Sequence, residues 1–162
     1  MNSEDKKKLI DFLRQVEGER FSAYKDSAGL WTIGVGHLIT EEELLSGYIL
    51  IGEKLENCRG PLTVEQRDTL LLQDLAPIIG PGGALEKYIK VDLSPHQFIA
   101  LASFIFNFGV GAFRRSTLLK KVNEKAFNEV PGQFLRWIYA GKKIIPGLVN
   151  RRRKEIGLWE TS

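Results

Sequence analysis

Glu17, Asp26 and Thr32 are the residues whose types and spacing carry chemistry: two carboxyl groups and a hydroxyl within one short stretch. Cleaving a glycosidic bond needs such a pair. One protonated carboxyl gives the leaving oxygen its proton, and an ionised one activates water or steadies the cationic sugar. Helical periodicity puts Glu17 at the C-terminal end of a first helix, where the negative end of the helix dipole disfavours a further negative charge. With Phe21 close in sequence to desolvate it, Glu17 suits the acid, whereas Asp26, in a hydrophilic turn, is expected to stay ionised. Thr32, on the strand that follows, is placed to hold the water. The separation of the carboxyls, roughly 6.5–9.5 Å for inversion and about 5–5.5 Å for retention, is not fixed by this spacing.

The elements that must position these groups follow from the pattern around them. Leu9, Ile10, Phe12, Leu13 and Val16 repeat at helical spacing behind Ser3 as N-cap, which predicts a helix from about Ser3 to Val16 or Glu17, ended by Gly18. From Phe21 to His37, Trp31, Ile33 and Val35 alternate with Thr32, Gly34 and Gly36, and Asp26-Ser27-Ala28-Gly29 is turn chemistry, which predicts a small antiparallel hairpin or meander. Capping-box pairs Thr40/Glu43, Thr63/Gln66 and Ser94/Gln97 each open a predicted helix, the last of them apolar almost all round. Further helices are expected over Ser116 to about Glu124, Glu129 to about Tyr139, and Gly147 to Trp159. The fold class is therefore α+β and mostly helical, with a β-containing lobe over about residues 15–60. A larger helical lobe, about 61–162 plus the N-terminal helix, completes a single domain with a cleft between the lobes.

Composition narrows the function classes. The chain has 162 residues, 43% of them hydrophobic, enough for one packed core. A single cysteine, Cys58, and two histidines, His37 and His96, exclude an internal disulfide and leave too few ligands for a structural metal site, so no cofactor and no metal is expected. The longest apolar run, Phe98 to Phe106, is too short to span a bilayer, and Met1–Lys8 lacks the apolar segment of a secretory signal. No stable membrane insertion is expected, and the chain is read as a monomer made in a cytoplasm. Trp137 and Trp159 fall at helical positions and read as core.

The run Glu17 to His37, EGERFSAYKDSAGLWTIGVGH, closely resembles the signature of phage-type lysozymes, the endolysin-like glycoside hydrolases of family 24. The resemblance continues through Phe106-Asn107-Phe108-Gly109, Gly111-Ala112-Phe113, Ser116-Thr117-Leu118-Leu119 and the segment Pro146 to Arg153, and so covers nearly the whole chain. It implies a lysozyme-like fold and a muramidase that cuts the β-1,4 bond between N-acetylmuramic acid and N-acetylglucosamine in bacterial peptidoglycan, causing lysis of the host. Glu17 would be the general acid and Asp26, with Thr32, would direct water with inversion. Leu38, Phe106 and Ser116 match positions that contact the glycan, with ordinary core packing the competing reading for Leu38 and Phe106. His37 matches a position that pairs with an aspartate, here Asp74, in a structural rather than catalytic role. Arg151, with Arg152 as the alternative, matches an arginine that pairs with the catalytic glutamate. Such an enzyme would act on the wall in the periplasm, reached through a holin lesion or by delivery in a particle.

Other classes compete. A lytic transglycosylase cleaves the same bond with a glutamate alone, against which Asp26 and Thr32 argue. A lysozyme-like module could hold glycan without turnover. The basic residues Lys142, Lys143, Arg151, Arg152, Arg153 and Lys154 could mark a nucleic-acid footprint, but no nucleic-acid-binding motif accompanies them, and a solvated face or attraction to the anionic wall accounts for them equally. No nucleic-acid partner is therefore expected.

Overall fold

Short-range polar pairs set where the helices begin. Thr40 and Ser94 each close a full capping box, with Glu43 and Gln97 respectively, and open α2 (Glu41–Ser46) and α5 (Pro95–Phe108). Thr63 and Gln66 exchange the same reciprocal bonds, of 2.8 and 3.1 Å, in front of α3 (Val64–Ile79). The first helix, α1 (Ser3–Glu17), starts one residue earlier than Ser3 as a cap implied: the Asn2 side chain accepts from the Asp5 N–H at 2.8 Å. The structure, a computed structural model, describes residues 1–161.

The chain divides into two compact units, one of residues Ile10–Ala76 and the other of Met1–Leu9 with Pro77 onward. In the first, β1 (Arg20–Lys25), β2 (Trp31–Gly34) and β3 (His37–Leu38) form an antiparallel sheet in that order. Tyr24 lies opposite Thr32, and Lys25 opposite Trp31. A second hairpin, β4 (Tyr48–Ile51) and β5 (Lys54–Asn57), follows α2. Its inward side chains Ile49 and Ile51 join Ile33, Ile39, Cys58, Leu62 and Leu70 in one apolar core. Its outward ones, Tyr48, Leu50 and Leu55, stay exposed.

The other unit is helical: α4 (Ala84–Tyr88), α5, α6 (Val110–Arg114), α7 (Thr117–Asn123), α8 (Val130–Phe134) and α9 (Pro146–Trp159). Every residue of α5 from Ile99 to Ile105 is buried, as its all-round apolar sequence requires. Phe104 sits among the rings of Phe108, Phe113, Phe134 and Trp137, all with centroids within 6.3 Å. Trp159 is buried, whereas Trp137 is half-buried. The helix expected over Glu129 to Tyr139 is shorter. A 3-10 turn at Phe127–Glu129 precedes α8, which ends at Phe134, and Tyr139 begins the hairpin β6 (Tyr139–Ala140) and β7 (Lys143–Ile144).

A buried charge cluster sits inside this helical packing. Glu155 of α9 is fully buried; its Oε1 accepts from the Ser103 hydroxyl at 2.6 Å and from Arg152 Nη2 at 2.9 Å. Arg151 Nε reaches the same oxygen at 3.3 Å and Arg152 Nε lies 2.7 Å from Oε2. The Arg152 guanidinium also lies over Phe104 and Phe108 at 5.1 and 5.0 Å and donates to Asn107 Oδ1 at 3.0 Å. Burial pushes the Glu155 carboxyl up, while Arg152, the Ser103 hydroxyl and Arg151 pull against it. Removing one charge from such a set leaves the others buried without compensation. Glu155→Gln is accordingly expected to lower unfolding free energy by about 3–5 kcal/mol in urea titrations; a change below about 1 kcal/mol would mean that the cluster does not hold α9 to α5.

Candidate functional site

Glu17, Asp26 and Thr32 all belong to the Ile10–Ala76 unit, and the local structure brings them to one region. Glu17 is the last residue of α1, as its place in the helical repeat implies. Its carboxyl group lies directly against the backbone of Gly36: a Cβ at that position would come within 2.9 Å of Glu17 Oε2 and 3.1 Å of Cδ. Gly36 also has φ +68°, a backbone conformation that favours glycine, and any side chain there would have to displace the Glu17 carboxyl.

A polar network holds the chain end that carries Glu17. Glu19 accepts from Arg14 Nε at 2.8 Å and from Arg67, and Arg67, almost fully buried on α3, bonds Asp68 as well. The hydrogen bond from Arg14 and the Arg67 charge keep the Glu19 carboxyl below its ordinary range despite some desolvation. Phe21, expected to desolvate Glu17, is 38% exposed, and its ring lies under the Arg67 guanidinium.

Asp26 opens the turn between β1 and β2. One carboxylate oxygen, Oδ1, accepts from the backbone N–H groups of Ala28 and Leu30, both at 2.9 Å. These bonds orient the side chain and use one oxygen, and among the described residues Oδ2 has no hydrogen-bond donor. Thr32 is buried, and its hydroxyl donates to the Leu30 carbonyl at 3.1 Å, keeping its lone pairs as acceptors. Cross-strand from Thr32 stands Tyr24, half-buried under Arg20 at 4.8 Å. Its phenol is pushed up, first by burial and then by the negative charges of both Glu17 and Asp26, with Arg20 opposing.

The other expected residues divide between the units. Leu38 is 51% exposed on β3. Phe106 is half-buried on α5, in the other unit, and Ser116 is buried there; its hydroxyl caps α7, accepting from Leu119 N at 3.1 Å and donating to the Phe113 carbonyl at 2.7 Å. Arg151 and Arg152 are both buried and both reach Glu155. Of the basic C-terminal residues, Lys142, Lys143, Arg153 and Lys154 are exposed, so the run is partly surface and partly core. Among the described residues no group of His, Cys, Asp or Glu could hold a metal ion, and no helix is long and apolar enough to cross a membrane.

The phage lysozyme family model matches residues 14–155, a span that holds every one of these groups. The chain belongs to the phage lysozyme family. It is 37% identical over 153 residues to the endolysin of Salmonella phage P22, covering 93% of each chain. Over 159 residues it is 34% identical to the endolysin of Acyrthosiphon pisum secondary endosymbiont phage 1, covering 96% of this chain and 97% of that one. Among solved structures, a variant of P22 lysozyme matches with a TM-score of 0.75 at 34% identity, over 99% of this chain and 98% of that one. The enzyme class is accordingly that of a muramidase, a glycosidase that lyses peptidoglycan.

Within this phage lysozyme, Tyr24, Glu19, Arg67 and Glu155 are residues that sequence reasoning missed. Tyr24 lay inside the signature and could have been found by pairing it across the hairpin with Thr32; Arg67 and Glu155 depend on partners distant in sequence. His37 lies between two carboxylates: Nδ1 is 2.8 Å from Asp74 Oδ2 and Nε2 is 3.2 Å from Glu43 Oε2, which also accepts from Thr40 N. Since both neighbours are acceptors, the doubly protonated ring satisfies both. Burial pulls the imidazole down, but the bonds and charges of Asp74 and Glu43 outweigh it, and its pKa is raised. A raised value means that the stabilisation is complete below the unfolded pKa, about 6.5, and is lost as pH rises through the folded one. His37→Asn should therefore cost about 1–3 kcal/mol near pH 5.5 and clearly less at pH 9 in urea unfolding; an equal loss at both would contradict a charged His37.

Proposed function

We propose that this phage lysozyme hydrolyses the β-1,4 bond between N-acetylmuramic acid and N-acetylglucosamine, with Glu17 as general acid and Asp26 as the carboxylate that activates water. What supports this reading is the placement of the Glu17 carboxyl against the Gly36 backbone, with Asp26 held by two N–H groups in the turn that leads to Thr32. Glu17 gives its proton to the glycosidic oxygen as the bond to the anomeric carbon breaks. Water adds to that carbon from the opposite face and its proton passes to Asp26, so the sum is one water consumed and one reducing end formed. Oδ2 of Asp26, which accepts no hydrogen bond among the described residues, is the oxygen left for this task while Oδ1 is held by two N–H groups, and the Thr32 hydroxyl accepts a hydrogen bond from the same water.

Supporting roles follow the family resemblance. Leu38, Phe106 and Ser116 contact the glycan, Ser116 doing so from a capped and rigid helix start. Arg151, or Arg152 in its place, is the arginine that the resemblance matches to the partner of the catalytic glutamate. His37 and Asp74 stabilise the fold rather than act on substrate. The enzyme works as a monomer on the wall of the host, reached after a membrane lesion or from a particle.

Mass spectrometry of soluble fragments from digested peptidoglycan, with folded Glu17→Gln as control, tests the reading. Hydrated fragments with a reducing muramic acid, reduced at least about a thousandfold in the variant, are expected. Fragments ending in 1,6-anhydro muramic acid would transfer the reaction to transglycosylation, and no fragments from either protein would leave a glycan-holding module.

A further inference from the structure

Arg67, on α3, is 3% exposed, and its guanidinium is shared between two carboxylates. Nε and Nη2 each lie 2.9 Å from Asp68 Oδ1, and Nη1 donates to Glu19 Oε2. From the other side Arg14 of α1 donates to both oxygens of Glu19, at 2.8 and 3.1 Å. The Arg67 guanidinium also covers the Phe21 ring of β1 at 5.5 Å, and its stem lies against Gly34 of β2, where a Cβ would meet Arg67 Cγ at 3.9 Å. One buried side chain of α3 thus reaches the chain leaving α1 and both strands that follow. Burying a charge costs more than filling the same space with an apolar side chain, so stability alone does not account for an arginine here. Packing does not fix the place where it acts. Gly18, between Glu17 and Glu19, has φ +71°, and no atom beyond its chain neighbours lies within 4 Å of where its Cβ would stand. A glycine leaves the exit of α1 free to swing, and Glu19 ties it down. On its far side the Glu17 carboxyl rests on Gly36, in a stretch anchored separately by the bond from His37 to Asp74 of the same α3.

We propose that Arg67 is a positioning residue for glycosidic cleavage: through Glu19 it fixes the end of α1, and with it the distance and direction from which the Glu17 carboxyl meets the leaving oxygen. This rests on the general-acid reading of Glu17 above and adds to it a residue that acts through the main chain. Its effect falls on turnover rather than on affinity. Proton transfer weakens steeply when acid and leaving oxygen are misplaced by about an ångström, and a loosened α1 terminus predicts that loss. The Glu19 and Asp68 side chains are 34% and 35% exposed, and Glu19 keeps Arg14, so removing the guanidinium leaves no carboxylate buried without a partner and the fold stays intact.

The test measures kcat and KM of wild type, Arg67→Met, Glu19→Gln and the double variant on a soluble muropeptide oligomer. In Arg67→Met kcat should fall about tenfold or more while KM stays within about twofold. The double variant should lose no more than the larger of the two single losses, because both substitutions break one ion pair. Amide hydrogen exchange in the free protein reads the same hold without turnover: the last-turn amides of α1, Gln15 to Glu17, should exchange about tenfold faster in Arg67→Met, with those of α5 unchanged. Should Arg67→Met not fold, Glu19→Gln breaks the pair from its solvent side and carries the same expectations. A loss confined to KM, a double variant whose kcat is the product of the two single losses, or unchanged exchange at Gln15 to Glu17 overturns the proposal. Full turnover by folded Glu17→Gln overturns the general-acid reading and this proposal with it; with Glu17→Gln inactive, a wild-type kcat in Arg67→Met overturns this proposal alone.

Discussion

The carboxyl group of Glu17 lies against the backbone of Gly36, where a Cβ would displace it. That contact joins the end of α1 to the stretch between β2 and β3, and much of the Ile10–Ala76 unit serves it. The Glu19–Arg67–Arg14 network holds the chain as it leaves the helix, the short sheet sets Tyr24 beside Thr32, and the Asp26 turn fixes one carboxylate oxygen with two N–H groups. Two carboxylates stand in different settings, one at a helix C-terminus beside a close-packed backbone and one in a hydrogen-bonded turn, as the proposed division of acid from base requires.

The helical unit solves a different problem. Its apolar helix α5 could pack against α9 through hydrocarbon alone, yet the interface holds Glu155 with two arginines, a serine hydroxyl and two aromatic faces. A cluster of this kind contributes little net stability over an apolar substitute but tolerates one arrangement of its partners. It keeps Arg151 and Arg152 in defined places. Trp137 and the capped Ser116 are held likewise, one against Phe104 and the other by two hydrogen bonds.

Local signals were legible in the sequence and long-range ones were not. Three capping pairs marked helix starts because their bonds span three residues. Glu17 and Asp26 could be read because helix end, turn and strand follow one another within one string. The hairpins Tyr48–Asn57 and Tyr139–Ile144 escaped, since Tyr48-Ile49-Leu50-Ile51 lacks alternation: Leu50 is as apolar as its buried neighbours although it faces outward. Both turn on a two-residue loop that starts with a positive-φ glycine, Gly52 or Gly141, which was the available clue. The role of Glu155 needed Ser103, 52 residues away, and no sequence pattern links them.

Hydrolysis with inversion requires Glu17 and Asp26 to act from opposite faces of the sugar, one on the leaving oxygen and one on water. Proton NMR of the first product, recorded during turnover of a soluble muropeptide oligomer before mutarotation equilibrates it, reads this directly. Water delivered through Asp26 predicts that the new muramic acid reducing end appears first as the α-anomer. Its first appearance as the β-anomer would contradict the account.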